Sequence, residues 1–260
     1  MTILESNDTI FCNFIAFFSN HHYGLLDMSS VNPDDLQQLT QWDTPTICNG
    51  LELVCPERRA TGFTTEPLVC FDAKLPPVIG YARTARIRAA APSPGSEEEA
   101  KALRLNYYEY IASGLKPSIV VIEDLDSTPG FGAFWGEVNT HIHRGLGARG
   151  CVTNGSMRDL PDSATEFQLL AGRVGPSHAH VHLVDFAGDV TVHNMSVSNN
   201  DIIHMDVHGA VVIPAAAVSE LPAAIDLISR REAKILEAAR SEGFSFEQLK
   251  QAMQDAGEIH

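Results

Sequence analysis

The sequence predicts an α/β fold with helices at both ends of the chain. A β-branched run at residues 118–123 is followed by a loop, a helical segment and a second apolar run at 151–153. This order is typical of a βαβ unit, which places two parallel strands side by side with a right-handed crossover. Hydrophobic residues make up 44% of the 260 residues, enough for a sizeable buried core.

The first part of the chain is predicted to be mainly helical. Asn32 precedes a proline and two aspartates, and Ser96 precedes three glutamates, which are patterns typical of helix starts. Apolar and polar residues alternate over 79–88, which indicates a strand. The predicted elements are a helix over 32–42, a second beginning near 44, a strand over 79–88 and a helix over 96–113.

The middle of the chain contains the βαβ unit. Its first strand, 118–123, contains the β-branched run Ile-Val-Val-Ile and is therefore suited to burial on both faces, and a loop rich in Gly and Asp follows it. We expect a helix over 133–149 and a short strand over 151–153, which ends at an Asn154-Gly155 turn.

The last third is predicted to contain short strands separated by Gly or Asn turns, and then two helices. The strands are expected at 168–170, 178–186, 190–193, 201–205 and 210–213, and the helices from 214 or 215 to 241 and over 245–256.

Composition excludes several partners. The formal charge is −15 and runs of Lys or Arg are absent, so we expect neither nucleic acid nor membrane as a partner. Any anionic ligand must then be held by local cations. The five cysteines form no CxxC pair, which favours a reducing, cytoplasmic location over a disulfide framework. Residues 1–27 are predicted to be an N-terminal extension, and 28–260 to form one domain.

Two segments of the βαβ unit are expected to converge at one edge of the sheet. Ligands of open α/β sheets bind beyond the carboxyl ends of parallel strands, next to helix N-termini that favour anions. Residues 136–139 lie near the start of the crossover helix, and Arg158-Asp159 follow the strand that this helix precedes. Arginine binds a carboxylate bidentately and aspartate binds a divalent cation through oxygen, so the edge suits an α-keto acid.

The spacing of these residues resembles that of a known family. Glu137, twenty further residues and Arg158-Asp159 are similar to the acidic, twenty-residue, Arg-Asp signature of the RraA-like family. The stretches "WGEVNTHIHRGLGARGCVTNGSMRD" and "NNDIIHMDVHGAVVIP" resemble that family's motifs over roughly residues 43–214. The resemblance implies a swivelling β/β/α sandwich with peripheral N- and C-terminal helices, assembled as a homotrimer or homohexamer.

The resemblance also implies a reaction and a role for each motif residue. A class II aldolase of this family cleaves a 4-hydroxy-2-oxo diacid to pyruvate and a second oxo compound, and decarboxylates oxaloacetate as a side activity. By this resemblance, the main-chain N–H groups of Gly136, Glu137, Val138 and Asn139 and the side chain of Arg158 bind the oxo-acid substrate. Asp159 binds Mg²⁺ or Mn²⁺, and Glu137 orients water on the metal. The general base is expected to be a water molecule.

The sequence is also compatible with two alternatives to the aldolase function. The RraA-like family also contains the inhibitor of RNase E, so the chain is alternatively a non-catalytic, protein-binding regulator. Separately, His178, His180 and His182 alternate, which on a strand would place all three on one face, where they would bind Zn²⁺ or iron.

His141 and His143 stand where the family usually has small residues, which implies an altered pocket wall.

Overall fold

A computed structural model describes residues 31–260. The extension predicted at residues 1–27 lies outside the described residues. Helix bounds, in chain order, are α1 Pro33–Gln38, α2 Thr44–Val54, α3 Glu97–Ser113, α4 Glu137–Gly145, α5 Leu221–Ala239 and α6 Phe246–Gly257. Strand bounds are β1 Val69–Cys70, β2 Val78–Arg88, β3 Ser118–Asp124, β4 Ala133–Trp135, β5 Ala148–Met157, β6 Gln168–Val174, β7 His182–Phe186, β8 Val190–Val192, β9 Met195–Val197, β10 Ile202–Asp206 and β11 Gly209–Ile213.

A mixed sheet forms the centre of the protein. Its strands follow the order β1-β6-β5-β3-β2-β10-β11, with β4 added beside β5 and β7 beside β2. The inner strands β2, β3, β5 and β6 are parallel, and so are β4 and β5, which confirms the parallel pair predicted for the βαβ unit. Strands β1, β7, β10 and β11 join antiparallel. Because β2 to β6 run in one direction, their carboxyl ends meet at a single edge.

Strand β3 shows why this sheet is buried on both faces. Val120 and Ile122 pack into one apolar cluster, on the side of the sheet that carries Tyr107 and Trp135. Ile119 and Val121 pack into another, which includes residues of the small β8-β9 hairpin and of β10. Alternate side chains of a strand point to opposite faces, so a continuous apolar run is what two covered faces require.

The predicted helix starts are confirmed by capping contacts. The side chains of Asn32, Asp43, Ser96 and Ser245 each accept a hydrogen bond from a backbone N–H group in the first turn of α1, α2, α3 and α6, respectively. At α3 the cap is reciprocal, since the Glu99 carboxylate accepts from the Ser96 N–H at 2.8 Å. Such a cap contributes about 1 kcal/mol, enough to fix where a helix begins.

The crossover helix is shorter than the 133–149 that the sequence predicts. Ala133–Trp135 forms strand β4, which pairs with the end of β5, and the helix begins only at Glu137 and ends at Gly145. An apolar Ala-Phe-Trp run fits a buried strand as well as a helix, and its strand pairing with β5 decides between the two.

The predicted Asn154-Gly155 turn was also wrong, because β5 continues through both residues to Met157. The Asn154 amide accepts from the Asp124 N–H at 2.7 Å and donates to the Asp124 carbonyl at 3.1 Å. These two bonds replace backbone pairing between β3 and β5 beyond Thr153, where the β5–β6 register also shifts. Because the Asn154 amide bonds both backbone groups of Asp124, β5 continues through this position without forming a turn.

Other boundaries also differ from the sequence-based expectation: β5 begins at Ala148, β6 extends to Val174 and α5 ends at Ala239. The strand expected at 178–186 begins only at His182, after a loop in which Ala179 has φ 47°. The long C-terminal helix begins at Leu221 rather than at 214 or 215, because a separate 3₁₀ turn occupies Ala215–Ala217. Within residues 31–260, no helix is both long and apolar enough to cross a membrane.

Candidate active site

Strands β4 and β5 bring the two predicted site segments together. The Arg158 N–H, immediately after β5, donates to the Trp135 carbonyl at the end of β4 at 2.9 Å. Gly136 follows Trp135 directly, and Glu137 begins α4. The first turn of α4 and the Arg158-Asp159 pair therefore lie side by side at the carboxyl edge of the sheet.

Gly136 allows this close approach. A β-carbon at position 136 would lie 2.6 Å from Asp159 Oδ2 and 3.2 Å from Arg158 Cγ. Carbon does not approach a carboxylate oxygen so closely, so any side chain at this position would displace the Asp159 carboxylate. The glycine is needed here for space beside the acid.

Asp159 is held in an uncommon backbone conformation. Its φ of 52° and ψ of 41° are left-handed, a region in which Asp and Asn are enriched among non-glycine residues. Its carbonyl accepts hydrogen bonds from the N–H groups of Asp162 and Ser163 and from the Ser163 hydroxyl, at 3.0 to 3.1 Å. These three bonds hold the backbone that positions the carboxylate.

The Arg158-Asp159 ion pair is loose. Arg158 Nε lies 3.4 Å from Asp159 Oδ2, and the two side chains are 36% and 35% exposed. An exposed pair at this distance gains little energy, so both groups remain available to a ligand. The geometry of this pair is that of an ordinary surface ion pair. It differs from one in lying beside the N-terminus of α4.

The N-terminus of α4 is open towards an anion. Gly136 supplies no side-chain cap, and the first intrahelical bond runs from the Thr140 N–H to the Gly136 carbonyl. The N–H groups of Glu137, Val138 and Asn139 therefore have no partner within the helix, and they carry the positive end of its dipole. Together with the Arg158 guanidinium they form a group of hydrogen-bond donors beside the Asp159 carboxylate.

The Asn139 side chain is fixed rather than free. Its amide donates to the Phe134 carbonyl at 2.5 Å and accepts from the Tyr108 hydroxyl at 2.8 Å. Burial raises the pKa of Tyr108, which keeps the phenol protonated as a donor. The Asn139 side chain is therefore occupied, and only its main-chain N–H is without a partner in the helix.

A cavity of about 580 Å³ opens at this edge. Five of the six predicted site residues line it: Gly136, Val138, Asn139, Arg158 and Asp159. Glu137 does not line the cavity, and its side chain is exposed. Arg104 and Glu97 of α3 also line the cavity and were not predicted from the sequence. No local motif marks them, because α3 reaches the cavity only through tertiary packing.

His178, His180 and His182 also line this cavity, but the expected metal-binding strand face was wrong. Only His182 belongs to a strand, and the left-handed Ala179 interrupts the alternation. Within residues 31–260 no group of three or more His, Cys, Asp and Glu side chains is arranged to hold a metal ion. The Asp159 carboxylate, in the space that Gly136 leaves, suits a cation such as Mg²⁺, which retains several waters and takes one or two carboxylates.

His141 and His143 do not form part of the cavity wall, contrary to expectation. His141 is exposed, and His143 is buried beside the rings of Trp135 and Tyr107. His143 Nδ1 donates to the Asn139 carbonyl at 2.6 Å and Nε2 accepts from the Tyr107 hydroxyl at 2.8 Å. Burial lowers the pKa of His143 to about 4, so the imidazole is neutral and belongs to the core.

Known structures share this fold at low sequence identity. A protein from Pseudomonas syringae pv. tomato matches with a TM-score of 0.65 and 19% identity, covering 86% of this chain and 95% of that one. Streptomyces coelicolor RraAS2, an RNase ES inhibitor family member, gives 0.60 and 18%, covering 81% and 98%. A protein described among novel cellulases from gut-associated microbes gives 0.63 and 16%, covering 78% and 86%. At these identities each match shows the fold alone, which confirms the expected α/β sandwich.

A family model carries the assignment further. No curated protein matches the chain, but the RraA-like model, described as Aldolase/RraA, matches residues 35–212, which is more than half of the chain. Members of this family form oligomers, and its aldolases typically require a divalent metal. The chain therefore belongs to the RraA-like family, which includes both aldolase or decarboxylase enzymes and RNase E inhibitors.

Proposed function

We propose that this protein is a divalent-metal-dependent carbon–carbon lyase. It cleaves a 4-hydroxy-2-oxo diacid to pyruvate and a second oxo compound, and it decarboxylates oxaloacetate as a side activity. The observation that carries the proposal is the packing of Arg158 and Asp159 against the uncapped N-terminus of α4, with Gly136 leaving space for the carboxylate.

Substrate binding uses the hydrogen-bond donors of Arg158 and of the first turn of α4. The Arg158 guanidinium pairs with the carboxylate and keto oxygen of the pyruvyl portion, and the N–H groups of Glu137, Val138 and Asn139 donate to the same oxygens. Arg104 of α3 lines the same cavity and is a second cation that could pair with the other carboxylate of a diacid. Two cations in one cavity thus favour a substrate with two acid groups.

Asp159 is the residue that would hold Mg²⁺ or Mn²⁺. When bound, a divalent cation supplies positive charge beside the keto oxygen that becomes negative during the reaction. The carboxylate of Glu137 is exposed and outside the cavity lining, so its proposed role in orienting water rests on the family resemblance alone. A Glu137→Gln variant tests that role separately from the main-chain contribution.

The two reactions share one requirement. Breaking the bond beyond C3 of the substrate leaves the pyruvate enolate, whether the other product is an oxo compound or carbon dioxide. Fixed donors aimed at the enolate oxygen lower the barrier because they need no reorganisation as the charge develops. Arg158 and the first turn of α4 are such donors, and both are anchored by backbone contacts of β4 and β5.

The test is a coupled assay of pyruvate release. Purified protein is given a panel of 4-hydroxy-2-oxo acids and oxaloacetate, first with a chelator and then with excess Mg²⁺ or Mn²⁺. We expect release that disappears with the chelator and returns with the metal. A chain that releases no pyruvate from any substrate under any metal condition would contradict the proposal and favour a protein-binding regulator like the RNase E inhibitors of the family.

We further propose that the chain assembles as a homotrimer or homohexamer. Support comes from apolar side chains on the C-terminal helices that face solvent in the single chain, among them Phe246 and Met253, which are 74% and 59% exposed. Light scattering coupled to size-exclusion chromatography should give a mass three or six times 28.3 kDa. A monomeric mass would contradict this assembly without affecting the proposed chemistry.

A further inference from the structure

The loop between β6 and β7 places histidine rings on the cavity wall in a defined orientation. His178 Nδ1 lies 2.8 Å from the Ala179 carbonyl oxygen, and His182 Nδ1 lies 2.8 Å from the His180 carbonyl oxygen. A carbonyl oxygen only accepts, so in the neutral ring Nδ1 carries the proton and Nε2 is the acceptor. Across residues 31–260 neither Nε2 atom has a hydrogen-bond partner, and each ring therefore presents an unused lone pair.

His178 belongs to the part of the loop that packs against β4 and lines the same cavity as Arg158 and Asp159. The Ala133 N–H of β4 donates to the Ser177 carbonyl at 2.9 Å, and a β-carbon on Gly132 would lie 2.4 Å from the His178 carbonyl oxygen. The loop is therefore packed directly against the strand that leads to Gly136. His182 instead pairs with Arg88 of β2, on another strand of the sheet.

We propose that His178 Nε2 is the general base of aldol cleavage. This assignment rests on the proposed lyase function and deepens it by naming the group that takes the proton from the 4-hydroxyl of the substrate. A base tied through its other ring nitrogen to a backbone carbonyl has its orientation and tautomer fixed before the substrate arrives.

The step balances without any further reactant. His178 Nε2 takes the hydroxyl proton, and the O–H electron pair becomes the second bond of a carbonyl at C4. The C3–C4 bond breaks, and its electron pair forms the pyruvate enolate, whose charge Arg158 and the first turn of α4 stabilise. The imidazolium then returns the proton to C3, which yields pyruvate and restores the base.

The other titratable groups of the cavity are less suited to this role. Asp159 is assigned to the metal, and Glu97 lies on the exposed first turn of α3. The His180 ring makes no hydrogen bond to any described residue, so its orientation is not fixed. The remaining charged or titratable side chains that face the cavity are Arg104, Arg158 and His182.

Oxaloacetate provides the discriminating comparison, because its decarboxylation breaks the C3–C4 bond without removing a hydroxyl proton. We expect His178→Gln to lower kcat for cleavage of a 4-hydroxy-2-oxo acid about 100-fold. The same variant should decarboxylate oxaloacetate within about twofold of the wild-type rate, since that reaction uses no base at this position. In a His178→Ala variant, added imidazole should restore aldol cleavage, which a purely structural role would not allow.

His182→Gln is the matched control, since its ring is tied to a carbonyl in the same way on the same cavity. Its ratio of aldol to decarboxylase activity should stay near that of the wild type. The assignment is overturned if His178→Gln lowers both activities together or neither, or if His182→Gln shows the selective loss. A wild-type protein that releases pyruvate from neither substrate would instead refute the lyase function, and this assignment with it.

Discussion

Helix α4 connects two cavities of different character. Its first turn lines the cavity of about 580 Å³ at the carboxyl ends of the strands, and its last residues line a groove of about 1200 Å³ at the amino ends. In the larger groove Arg144 is paired with Glu166 at 2.5 Å and Lys116 donates to the Ile111 carbonyl at 2.7 Å, while Arg149 has no side-chain partner within residues 31–260. In the smaller cavity the loosely paired Arg158 and the N–H groups of Glu137, Val138 and Asn139 are available to bind an anion.

The cavity that contains the proposed site is therefore the smaller of the two. Both ends of the sheet offer space, arginine and carboxylate, but only the carboxyl end combines an uncapped helix N-terminus with a loosely paired guanidinium. An anion binds where donors are unsatisfied, because a donor that already has a partner must lose it first. The contrast between the two cavities can be tested with variants matched across them.

The largest effect is expected for the two arginines. Arg158→Ala removes a donor that faces the developing enolate charge, and we expect it to lower kcat/KM for pyruvate release about 1,000-fold with little change in the unfolding midpoint. Arg144→Ala, in the amino-end groove, removes only an exposed ion pair and should leave pyruvate release within about twofold. Comparable losses in both variants would show that the two cavities are not functionally distinct.

Two glycines of the same helix region provide the second comparison. Alanine at Gly136 would place its β-carbon 2.6 Å from Asp159 Oδ2, and the displaced carboxylate should lower kcat about 100-fold. At Gly145 a β-carbon would meet no atom within 4 Å, so Gly145→Ala should be fully active and stabilise the helix by about 0.5–1 kcal/mol. Steady-state kinetics and urea unfolding measure both, and an active Gly136→Ala would show that the carboxylate position is unimportant.

His143, buried on α4 between the two cavities, should make stability depend on pH. The folded-state pKa of His143 is about 4, whereas the ordinary histidine pKa is about 6.5. Between these two pH values the unfolded chain binds more protons than the folded chain. Stability is therefore complete above about pH 6.5 and decreases as pH falls towards the folded-state pKa. Between pH 7 and pH 5 the wild type should lose about 2 kcal/mol more unfolding free energy than His143→Gln. Equal losses would mean that His143 is accessible to protons when folded.

The sequence predicted which residues of the proposed site lie together better than it predicted the boundaries of the elements that carry them. Gly136, Val138, Asn139, Arg158 and Asp159 meet in one cavity because parallel strands end at the same edge, which a βαβ pattern already dictates. Arg104 was missed since nothing in a single sequence indicates where the exposed face of α3 will pack.

The boundary errors have local physical causes. The Ala133–Trp135 segment satisfies both a helical and a strand pattern, and only pairing with β5 selects the strand. Asn154-Gly155 resembles a turn, but the Asn154 amide pairs with both backbone groups of Asp124, which no sequence pattern reveals. The alternation of His178, His180 and His182 predicted a shared strand face, and the left-handed backbone at Ala179 removes it.

The smallest effect is expected for the carboxylates of the two cavities. Asp159→Asn keeps an oxygen ligand but removes its charge, and because Mg²⁺ retains most of its waters the loss should be modest. We expect the Mg²⁺ concentration for half-maximal activity to rise about tenfold, with a parallel weakening of Mg²⁺ binding in calorimetry. Glu166→Gln, the matched change in the amino-end groove, should alter neither measurement, since its carboxylate is already paired with Arg144. Unchanged Mg²⁺ binding in Asp159→Asn would place the metal elsewhere, and the role of Asp159 would then be limited to its contacts with Arg158 and Gly136.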